Sequence, residues 1–384
     1  MNRTVYLDHN STTPLDPEVL EAMLPFLRDE FGNAASTHQL GRRAREAVEK
    51  SREQVEESIG CQSGRIVFTS SATEANNLFF KGIASGEHRR SFVVAKTEHK
   101  SVVEPLRSLR QEGRADVSWI LPDGSGRITP EAVLDAIRCE GSVVSVMAAN
   151  NVVHTINPLA EISLALAETG LLLHSDITQA IGRIPLNVEE TGIDAASLSG
   201  HKIYGPKGVG ALYLSQLALR SGLKPLIEGG GHEFGLRSGT INVPAVVGFG
   251  VACSLAAERL PDDAQHAASL AKVLRAELRS RIPDAVFNGH PVQRLPGGVH
   301  LTIPGIDSRG LIAAIPDLAF SDGSACESGG EADHVITELV GVDAAHSSIR
   351  LQVGRSNTRD DVVCAAERIA NAAKELRNLA SYLR

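Results

Sequence analysis

The order of apolar and polar stretches along the chain predicts an α/β fold. Seven short runs rich in aliphatic and β-branched residues recur through the first two thirds of the sequence. They are RIVFT at 65–69, FVVA at 92–95, VSWIL at 117–121, SVVSVMA at 142–148, LLLHS at 171–175, AASLS at 195–199 and VGALYL at 209–214. Because these runs are apolar without strict alternation, we expect strands covered on both faces, in a mainly parallel sheet with crossover helices.

Helical periodicity and a later change of pattern predict two domains. One clear amphipathic helix is expected from Ser36 to Ile59. After residue 254 the strand-like runs give way to long stretches rich in Ala, Leu and Arg, short strand-like pieces and a final helix over 360–383. We therefore expect a large domain over residues 15–254 and a smaller α/β domain formed by residues 1–14 and 255–384.

Composition and charge exclude several classes of protein. Apolar residues make up 42% of the chain and charged residues 22%, which is typical of a folded globular protein. A net charge of −8 provides no broad basic surface for nucleic acid or anionic lipid. The N-terminus has no signal-peptide pattern, and no apolar run approaches the ~18 residues of a membrane span, so we expect a cytoplasmic protein.

The five cysteines are scattered along the chain, without the CxxC spacing of zinc or redox sites. We expect reduced thiols, no disulfide framework and no metal site. Four of the cysteines have apolar or helix-like neighbours, as packing residues do. Cys326 differs because it lies in SDGSACESGGEA, a stretch of small and acidic residues in which an exposed, reactive thiol is expected. The alternative is an incidental surface thiol.

Lys202 is the first candidate for covalent chemistry. It lies in SGHKIYGPKGVG, between a strand and a turn rich in Gly and Pro, where the rigid backbone suits a Schiff-base lysine. Most lysines are solvated surface charges, so Lys202 alone carries little weight. Asp176 ends the strand LLLHSD at the carboxyl edge of the sheet, where it can pair with a pyridinium nitrogen or, alternatively, cap a helix.

Three further segments place polar side chains where ligands bind. TSSATEANN, at 69–77, follows a strand and opens a helix, so it is a candidate phosphate site, although most such helix starts are only caps. His99 follows the run FVVA, where an imidazole can stack on a flat ring. Arg350, in the strand-like SSIRLQVGR, is suited to a bidentate grip on a substrate carboxylate.

Six strings in a fixed order carry a family resemblance. They are TEHK, DITQ, SGHKIYGPKG, GGGHEFGLRSGT, GSAC and SSIRLQVGR. Together they resemble the cysteine desulfurases, which are class V members of the fold type I pyridoxal phosphate enzymes. The similarity extends from YLDHNSTTP, which begins at Tyr6, almost to the C-terminus. It implies the fold of that family, a large domain with a mainly parallel seven-stranded sheet and a smaller C-terminal α/β domain.

The resemblance implies a site with three parts. The ring of pyridoxal 5'-phosphate would be held by Lys202, Asp176, Gln179 and His99, with Lys202 as the covalent carrier. Its phosphate would be held by Ala72, Thr73, Ser199 and His201, and by Thr240 from a second subunit. The substrate would be held by Arg350, Asn151 and Asn33. A homodimer is implied in the same way.

The resemblance also implies the reaction. His99 would shuttle protons, and the Cys326 thiolate would take the sulfur of L-cysteine, leaving alanine and a persulfide for an acceptor protein such as an iron–sulfur scaffold. The acidic neighbour Glu327 would tend to raise the pKa of the thiol, so activation has to come from elsewhere. The stretch from Glu327 to about His334 is similar to that of the long-loop branch of the family, which implies a mobile loop.

One departure from the family pattern concerns the loop after the fourth strand. Where family members usually read NNEIG, this chain has NNVVH at 150–154, so the acidic residue and the glycine are both absent. Asn151 is kept. The shape of the loop beside it is left open, because glycine reaches backbone conformations that other residues rarely adopt.

Three alternatives stay open on the sequence alone. A related lyase or aminotransferase would keep Lys202, Asp176 and His99 but would need no thiol at Cys326. A selenocysteine lyase would use the same scaffold. A non-catalytic scaffold would bind the cofactor or a sulfur-transfer partner without turnover. The destination of the sulfur is also open, among iron–sulfur assembly, tRNA thiolation, DNA sulfur modification and cofactor synthesis.

Overall fold

Strands and helices alternate through most of the chain in the computed structural model, which describes residues 4–86, 90–138, 143–322 and 333–382. The strands are β1 (Val5–Tyr6), β2 (Arg65–Thr69), β3 (Arg90–Ala95), β4 (Ala115–Ile120), β5 (Val143–Ser145), β6 (Leu172–Asp176), β7 (Ala195–Ser199), β8 (Gly210–Leu214), β9 (Val286–Phe287), β10 (Gly298–Thr302), β11 (Leu318–Ala319) and β12 (Ser348–Gln352). The helices are α1 (Pro17–Arg28), α2 (Gln39–Ile59), α3 (Ala72–Ile83), α4 (Lys100–Gln111), α5 (Pro130–Ala136), α6 (Leu159–Leu166), α7 (Gln216–Leu219), α8 (Val243–Arg281), α9 (Ser308–Ala314), α10 (His334–Val340), α11 (Val342–Ala345) and α12 (Arg359–Tyr382). Short 3-10 turns occupy Gly200–Lys202 and Glu233–Gly235.

The central sheet contains seven strands in the order β2-β8-β7-β6-β5-β3-β4. Neighbours from β7 to β4 pair in parallel, and β8 runs antiparallel to both β2 and β7. The predicted α/β class and mainly parallel seven-stranded sheet are confirmed. The run SVVSVMA is the least regular strand, because only three of its residues form β5 and the chain then continues beside β6 through single bonds from the N–H groups of Val146 and Ala148.

The predicted amphipathic helix is α2, which begins three residues later than expected, at Gln39 instead of Ser36. His38 caps it, because its Nδ1 accepts the backbone N–H of Gly41 at 3.3 Å. The helix ends at Ile59 and is capped by Gly60, where the left-handed φ of +69° suits glycine. Its buried face, which includes Val55, packs in the core around the central sheet.

The longest described helix, α8, links two hydrophobic cores. Its first half buries Val246 and Phe249 around the central sheet, and its second half buries Leu270 and Leu274 against the smaller antiparallel sheet. The helix is continuous through residue 254, where the boundary between the domains is predicted. The division into a large and a small domain therefore stays a prediction, with α8 as the element that joins them.

By length and composition α8 is also apolar enough to cross a membrane, although the sequence pattern predicts no such segment. Charged residues limit the length of each uninterrupted apolar run, but the mean hydropathy of its most apolar 18-residue stretch is 1.4. In the fold, 61% of that window is buried inside the protein. Such burial is typical of a core helix of a globular domain.

The smaller sheet is antiparallel, in the order β12-β10-β9, and it carries one predicted site residue. Leu351 of β12 and Leu301 of β10 are buried in the second core. Arg350 lies opposite His300 in the register of the two strands. Because successive side chains alternate between the faces of a strand, Arg350 points away from that core.

Candidate active site

Polar side chains from several strand ends surround a cavity of about 280 Å³ at the carboxyl edge of the central sheet. Asp176 ends β6, Ser199 ends β7, and Ser71 caps α3 just after β2. Ligands bind at this edge in parallel sheets, because loops and helix N-termini face it. The predicted site residues that line the cavity are Ala72, Thr73, His99, Asn151, Asp176, Gln179, Ser199, His201, Lys202 and Arg350.

Lys202 is held at the end of the short 3-10 turn that follows β7. Its Nζ donates to the carbonyl oxygens of Asn10 at 2.6 Å and Ser11 at 2.7 Å. These two residues come from YLDHNSTTP near the N-terminus, so the amine is fixed by a segment almost two hundred residues away in sequence. The rigid placement expected of a Schiff-base lysine is present.

Asp176 is a buried carboxylate with two donors. Its Oδ1 accepts the backbone N–H of Thr178 at 3.0 Å, and its Oδ2 accepts Nδ2 of Asn76 at 3.1 Å. The alternative role as a helix cap does not apply, because the ITQA segment that follows forms turns instead of a helix. The carboxylate is therefore oriented at the floor of the cavity, where it can meet a cationic ring nitrogen.

His99 caps α4 and lies on the cavity wall. Its Nδ1 accepts the backbone N–H of Ser101 at 3.1 Å and lies 2.7 Å from the Ser101 hydroxyl. Burial lowers the pKa of His99, and the Asp176 charge opposes that shift only in part. The ring is therefore neutral at pH 7, and because Nδ1 is an acceptor its hydrogen lies on Nε2.

The phosphate end of the predicted site is built around the start of α3. Thr73 and Ala72 lie in its first turn, and Ser199 and His201 line the same cavity. Burial, followed by the charges of Lys202 and Lys207, lowers the pKa of His201 to about 4, so its imidazole is neutral and acts as a hydrogen-bonding group. Free N–H groups at the start of a twelve-residue helix favour an anion here.

Arg350 is almost wholly buried, with 2% of its surface exposed. Its guanidinium donates to Asn151 O at 3.2 Å, Asp8 Oδ1 at 3.0 Å and Ser11 Oγ at 2.7 Å. Its Nε has no partner among the described residues. A buried guanidinium with donors to spare is suited to a carboxylate ligand.

The family resemblance implies that Arg350 binds the carboxylate of the substrate; replacing it with lysine should then raise KM for the substrate roughly 10- to 100-fold, because losing a charge-assisted hydrogen bond costs about 1.5–3 kcal/mol. The effect on kcat should be smaller, since the reacting atoms lie elsewhere. Steady-state kinetics of Arg350→Lys beside Arg377→Lys, an exposed arginine paired with Asp284, measure this. An unchanged KM in Arg350→Lys would contradict the substrate-binding role.

Two predicted site residues are not brought to this cavity, and a third lies outside the described residues. Thr240 is exposed and Asn33, also exposed, lies on a separate hollow beside Phe234. Neither lines the cavity of its own chain. Cys326, with the loop predicted after it, lies outside the described residues apart from Asp333 and His334, which line the cavity.

Several cavity residues were missed in the sequence. They are Asn10, Ser11, Ser71, Met147, Val152, Thr178, Asp333, His334 and Val335. Asn10 and Ser11 lie in YLDHNSTTP, a segment that the family resemblance includes but to which it assigns no role in the site. Gln179, expected at the ring hydroxyl, donates from Nε2 to Asn10 O at 3.1 Å and accepts from Arg183 at 2.6 Å.

The loop NNVVH keeps a tight shape without its glycine. Oδ1 of Asn150 accepts the N–H groups of Val152 at 2.8 Å and Val153 at 2.9 Å. His154 adopts a left-handed φ of +67°, the conformation in which glycine is favoured. The buried Val152 and Val153 pack against Val335 and neighbours in α10 and α11. Val152 thus puts apolar packing against α10 where the family has an acid, and His154 takes the place of the glycine with a glycine-like backbone conformation.

Comparison with known proteins identifies the family. Residues 5–364 match the family Aminotransferase class-V. Cysteine desulfurase IscS of Rickettsia typhi is 42% identical over 380 residues, which covers 98% of this chain and 92% of that protein. The chain belongs to the cysteine desulfurase family. The predicted family and enzyme class, a class V desulfurase of the pyridoxal phosphate-dependent type, are confirmed.

Solved structures of similar proteins share the fold. A NifS-like protein has 33% identity and a TM-score of 0.88, over 96% of this chain and 98% of the other. A structure described as SspA in complex with cysteine has 31% identity and a TM-score of 0.80, over 92% of this chain and 100% of the other. These matches confirm the fold predicted from the family resemblance.

Proposed function

We propose that this protein removes sulfur from L-cysteine, releases L-alanine and holds the sulfur as a persulfide on Cys326, with pyridoxal 5'-phosphate carried on Lys202. The observation that carries the proposal is the convergence of Lys202, the buried Asp176 and the neutral His99 on one cavity. Membership of the cysteine desulfurase family supports it. The cysteine bound in the similar SspA structure supports the choice of substrate.

The residues around the cavity fit pyridoxal phosphate at both ends. An amine at Lys202 suits its aldehyde, a buried carboxylate at Asp176 suits its ring nitrogen, and the N-terminus of α3 beside Thr73 suits its phosphate. Bound there, the cofactor withdraws electrons from the Cα of an amino-acid substrate and so weakens the bonds around it.

The chain's own groups supply the remaining steps. Arg350 binds the substrate carboxylate and sets the orientation of the amino acid in the cavity. Lys202 Nζ and His99 Nε2 are the two groups placed to hold or move a proton. Asp176, kept in place by two hydrogen bonds, supplies a fixed negative charge.

The sulfur step is assigned to Cys326. Its thiolate attacks the substrate sulfur, so that a sulfur–sulfur bond forms and the carbon–sulfur bond breaks. The electron pair of the broken bond stays on the carbon, which takes up a proton and becomes the methyl group of alanine. No external oxidant is needed, and a thiol reductant later frees the sulfur as sulfide.

We also propose a cytoplasmic homodimer that passes its persulfide to an acceptor protein, such as an iron–sulfur scaffold. The exposed positions of Thr240 and Asn33, away from the cavity of their own chain, support the dimer, because they would serve the cavity of a second copy. Thr240 would then contact the cofactor phosphate there, and Asn33 the substrate.

The function is tested by supplying the purified, cofactor-loaded protein with L-cysteine. With a thiol reductant we expect alanine and sulfide in equal amounts. In a rapid-quench experiment, alanine should appear first in a burst of about one molecule per chain, ahead of sulfide, because the persulfide must then pass its sulfur to a thiol, either the reductant or L-cysteine itself. Pyruvate in place of alanine, or sulfide released in step with alanine from the first turnover, would favour a lyase or aminotransferase that uses no cysteine residue.

A further inference from the structure

Glu98 is a fully buried glutamate that the proposed reaction does not use. It lies in the TEHK segment, between β3 and α4, and none of its surface is exposed. No ion pair joins it to any lysine or arginine in the part of the chain that the structure describes, and its Oε2 has no hydrogen-bond partner there. A buried carboxylate without a cation is costly, so this side chain needs an explanation.

A chain of neutral polar groups leads to Glu98 from β6 and β7. The Ser145 hydroxyl donates to Glu98 Oε1 at 3.4 Å and lies 2.9 Å from His174 Nδ1. His174 Nε2 lies 3.3 Å from the Ser197 hydroxyl. Burial lowers the pKa of His174 to about 4, so the imidazole is neutral. With its hydrogen on Nδ1, His174 donates to Ser145 and accepts from Ser197, and Ser145 in turn donates to Glu98, so no cation is part of this chain.

Asp176 competes with Glu98 for negative charge. Burial, and then the Asp176 charge, raises the pKa of Glu98 to about 8. The Met147 backbone N–H, the Ser145 hydroxyl and the His99 backbone N–H lower it by less. Asp176 has two donors of its own, from Thr178 and Asn76, and would gain a third at the cofactor ring. Repulsion between the two charges disfavours ionising both buried carboxyl groups, and it is the pKa of Glu98 that is raised.

Glu98 also joins the elements that face the cofactor. The next residue, His99, lies on the cavity wall, and the Glu98 carbonyl is 2.9 Å from Nε2 of His334 at the start of α10. The titratable groups around Glu98 are therefore Asp176 and His174 of β6, His99 before α4, and His334 of α10. A negative charge on Glu98 would interact electrostatically with each of these groups.

We propose that Glu98 is a positioning residue, a neutral carboxylic acid that leaves Asp176 as the single ionised carboxylate directed at the cofactor ring. This inference rests on the proposed function, because Glu98 acts on the cofactor through Asp176. Above the range in which Glu98 keeps its proton, a second negative charge arises beside Asp176 and changes the electronic state of the bound cofactor.

Glu98→Gln tests this, because glutamine has the same shape and stays neutral at every pH. In the cofactor-loaded protein near pH 6, we expect the visible absorption of the variant to match that of the wild type, since Glu98 is also neutral there. Raising the pH from about 6 to about 9 should change the wild-type spectrum more than the variant spectrum, because only the wild type ionises near pH 8.

A matched control is Glu104→Gln, which removes an exposed glutamate of α4 paired with Arg107 and should titrate as the wild type does. The inference is overturned if the visible spectra of wild type and Glu98→Gln change with pH in parallel. It is also overturned if the two spectra already differ near pH 6, because that result would mean that Glu98 is ionised in the wild type at that pH. If neither protein takes up pyridoxal phosphate, the proposed function fails together with this inference, whereas a parallel titration removes only the latter.

A measurement on the wild type alone covers the case in which Glu98→Gln does not fold. With glutamate labelled by carbon-13, infrared spectroscopy should detect the carbonyl band of a buried protonated acid at pH 7 and lose it by about pH 9. Absence of that band at pH 7 would overturn the proposal.

If the variant folds, its thermal stability relative to wild type should increase from about pH 4.5 to about pH 8. In this pH range Glu98 is protonated in the folded wild type and ionised in the unfolded wild type. The stability of the wild type therefore falls as pH rises, whereas glutamine at this position does not titrate.

Discussion

Lys202→Ala is expected to lower alanine release from L-cysteine by roughly 10³-fold or more, because in the proposed function the amine both carries the cofactor and moves a proton. Pyridoxal phosphate should then be lost on gel filtration, together with its visible absorption, whereas the wild type keeps it. Alanine assays and absorption spectra of the two purified proteins measure both effects.

The control for this variant is Lys207→Ala, which removes an exposed lysine from the same SGHKIYGPKG segment. It should keep cofactor and activity. Because Lys202 also binds the carbonyl oxygens of Asn10 and Ser11, melting curves are needed to separate a folding defect from a chemical one. A folded Lys202→Ala that keeps bound cofactor and turns over at the wild-type rate would exclude Lys202 as the carrier.

Cys326→Ala is expected to give a protein that keeps its cofactor colour but releases neither alanine nor sulfide at more than ~1% of the wild-type rate. The physical reason is that, in the proposed reaction, the substrate sulfur then has no nucleophile to accept it, while the groups that line the cavity are unchanged. The measurement compares visible absorption with alanine and sulfide release for wild type and variant.

The matched control is Cys364→Ala, since Cys364 is an exposed free cysteine on α12. This variant should behave as the wild type does in every assay. Equal activity of Cys326→Ala and wild type would show that Cys326 is not the sulfur acceptor. The NNVVH loop, with Val152 on the cavity wall, would then be the first place to look for a different reaction.

The central sheet was predictable because burial on both faces leaves a local trace in the sequence. The runs RIVFT and AASLS match β2 and β7 residue for residue. SVVSVMA over-predicted β5, since a buried apolar run does not by itself reveal where regular pairing stops. The start of α2 was set by the His38 cap, a histidine nitrogen that is not among the usual cap signals.

Most of the candidate site was also predictable, because its side chains lie at the ends of recognisable strands. Lys202, Asp176 and His99 line one cavity, as their motifs indicate. The predicted contributions of Thr240 and Asn33 remain proposals that depend on a second copy of the chain. The positive φ of His154 was not predictable, because its backbone is held by hydrogen bonds and packing instead of by its own preference.

By itself the sequence determined the α/β class, the seven central strands, the family and the chemical types of the site residues, since these depend on local pattern and on strings of adjacent residues. The tertiary structure alone decided which groups meet. It placed the Asn10 and Ser11 carbonyls at Lys202, Asn76 at Asp176, and Glu98 in a buried position with no lysine or arginine partner among the described residues. Protonation states such as those of Glu98 and His99 follow from burial and from charges on distant segments, which no local pattern encodes.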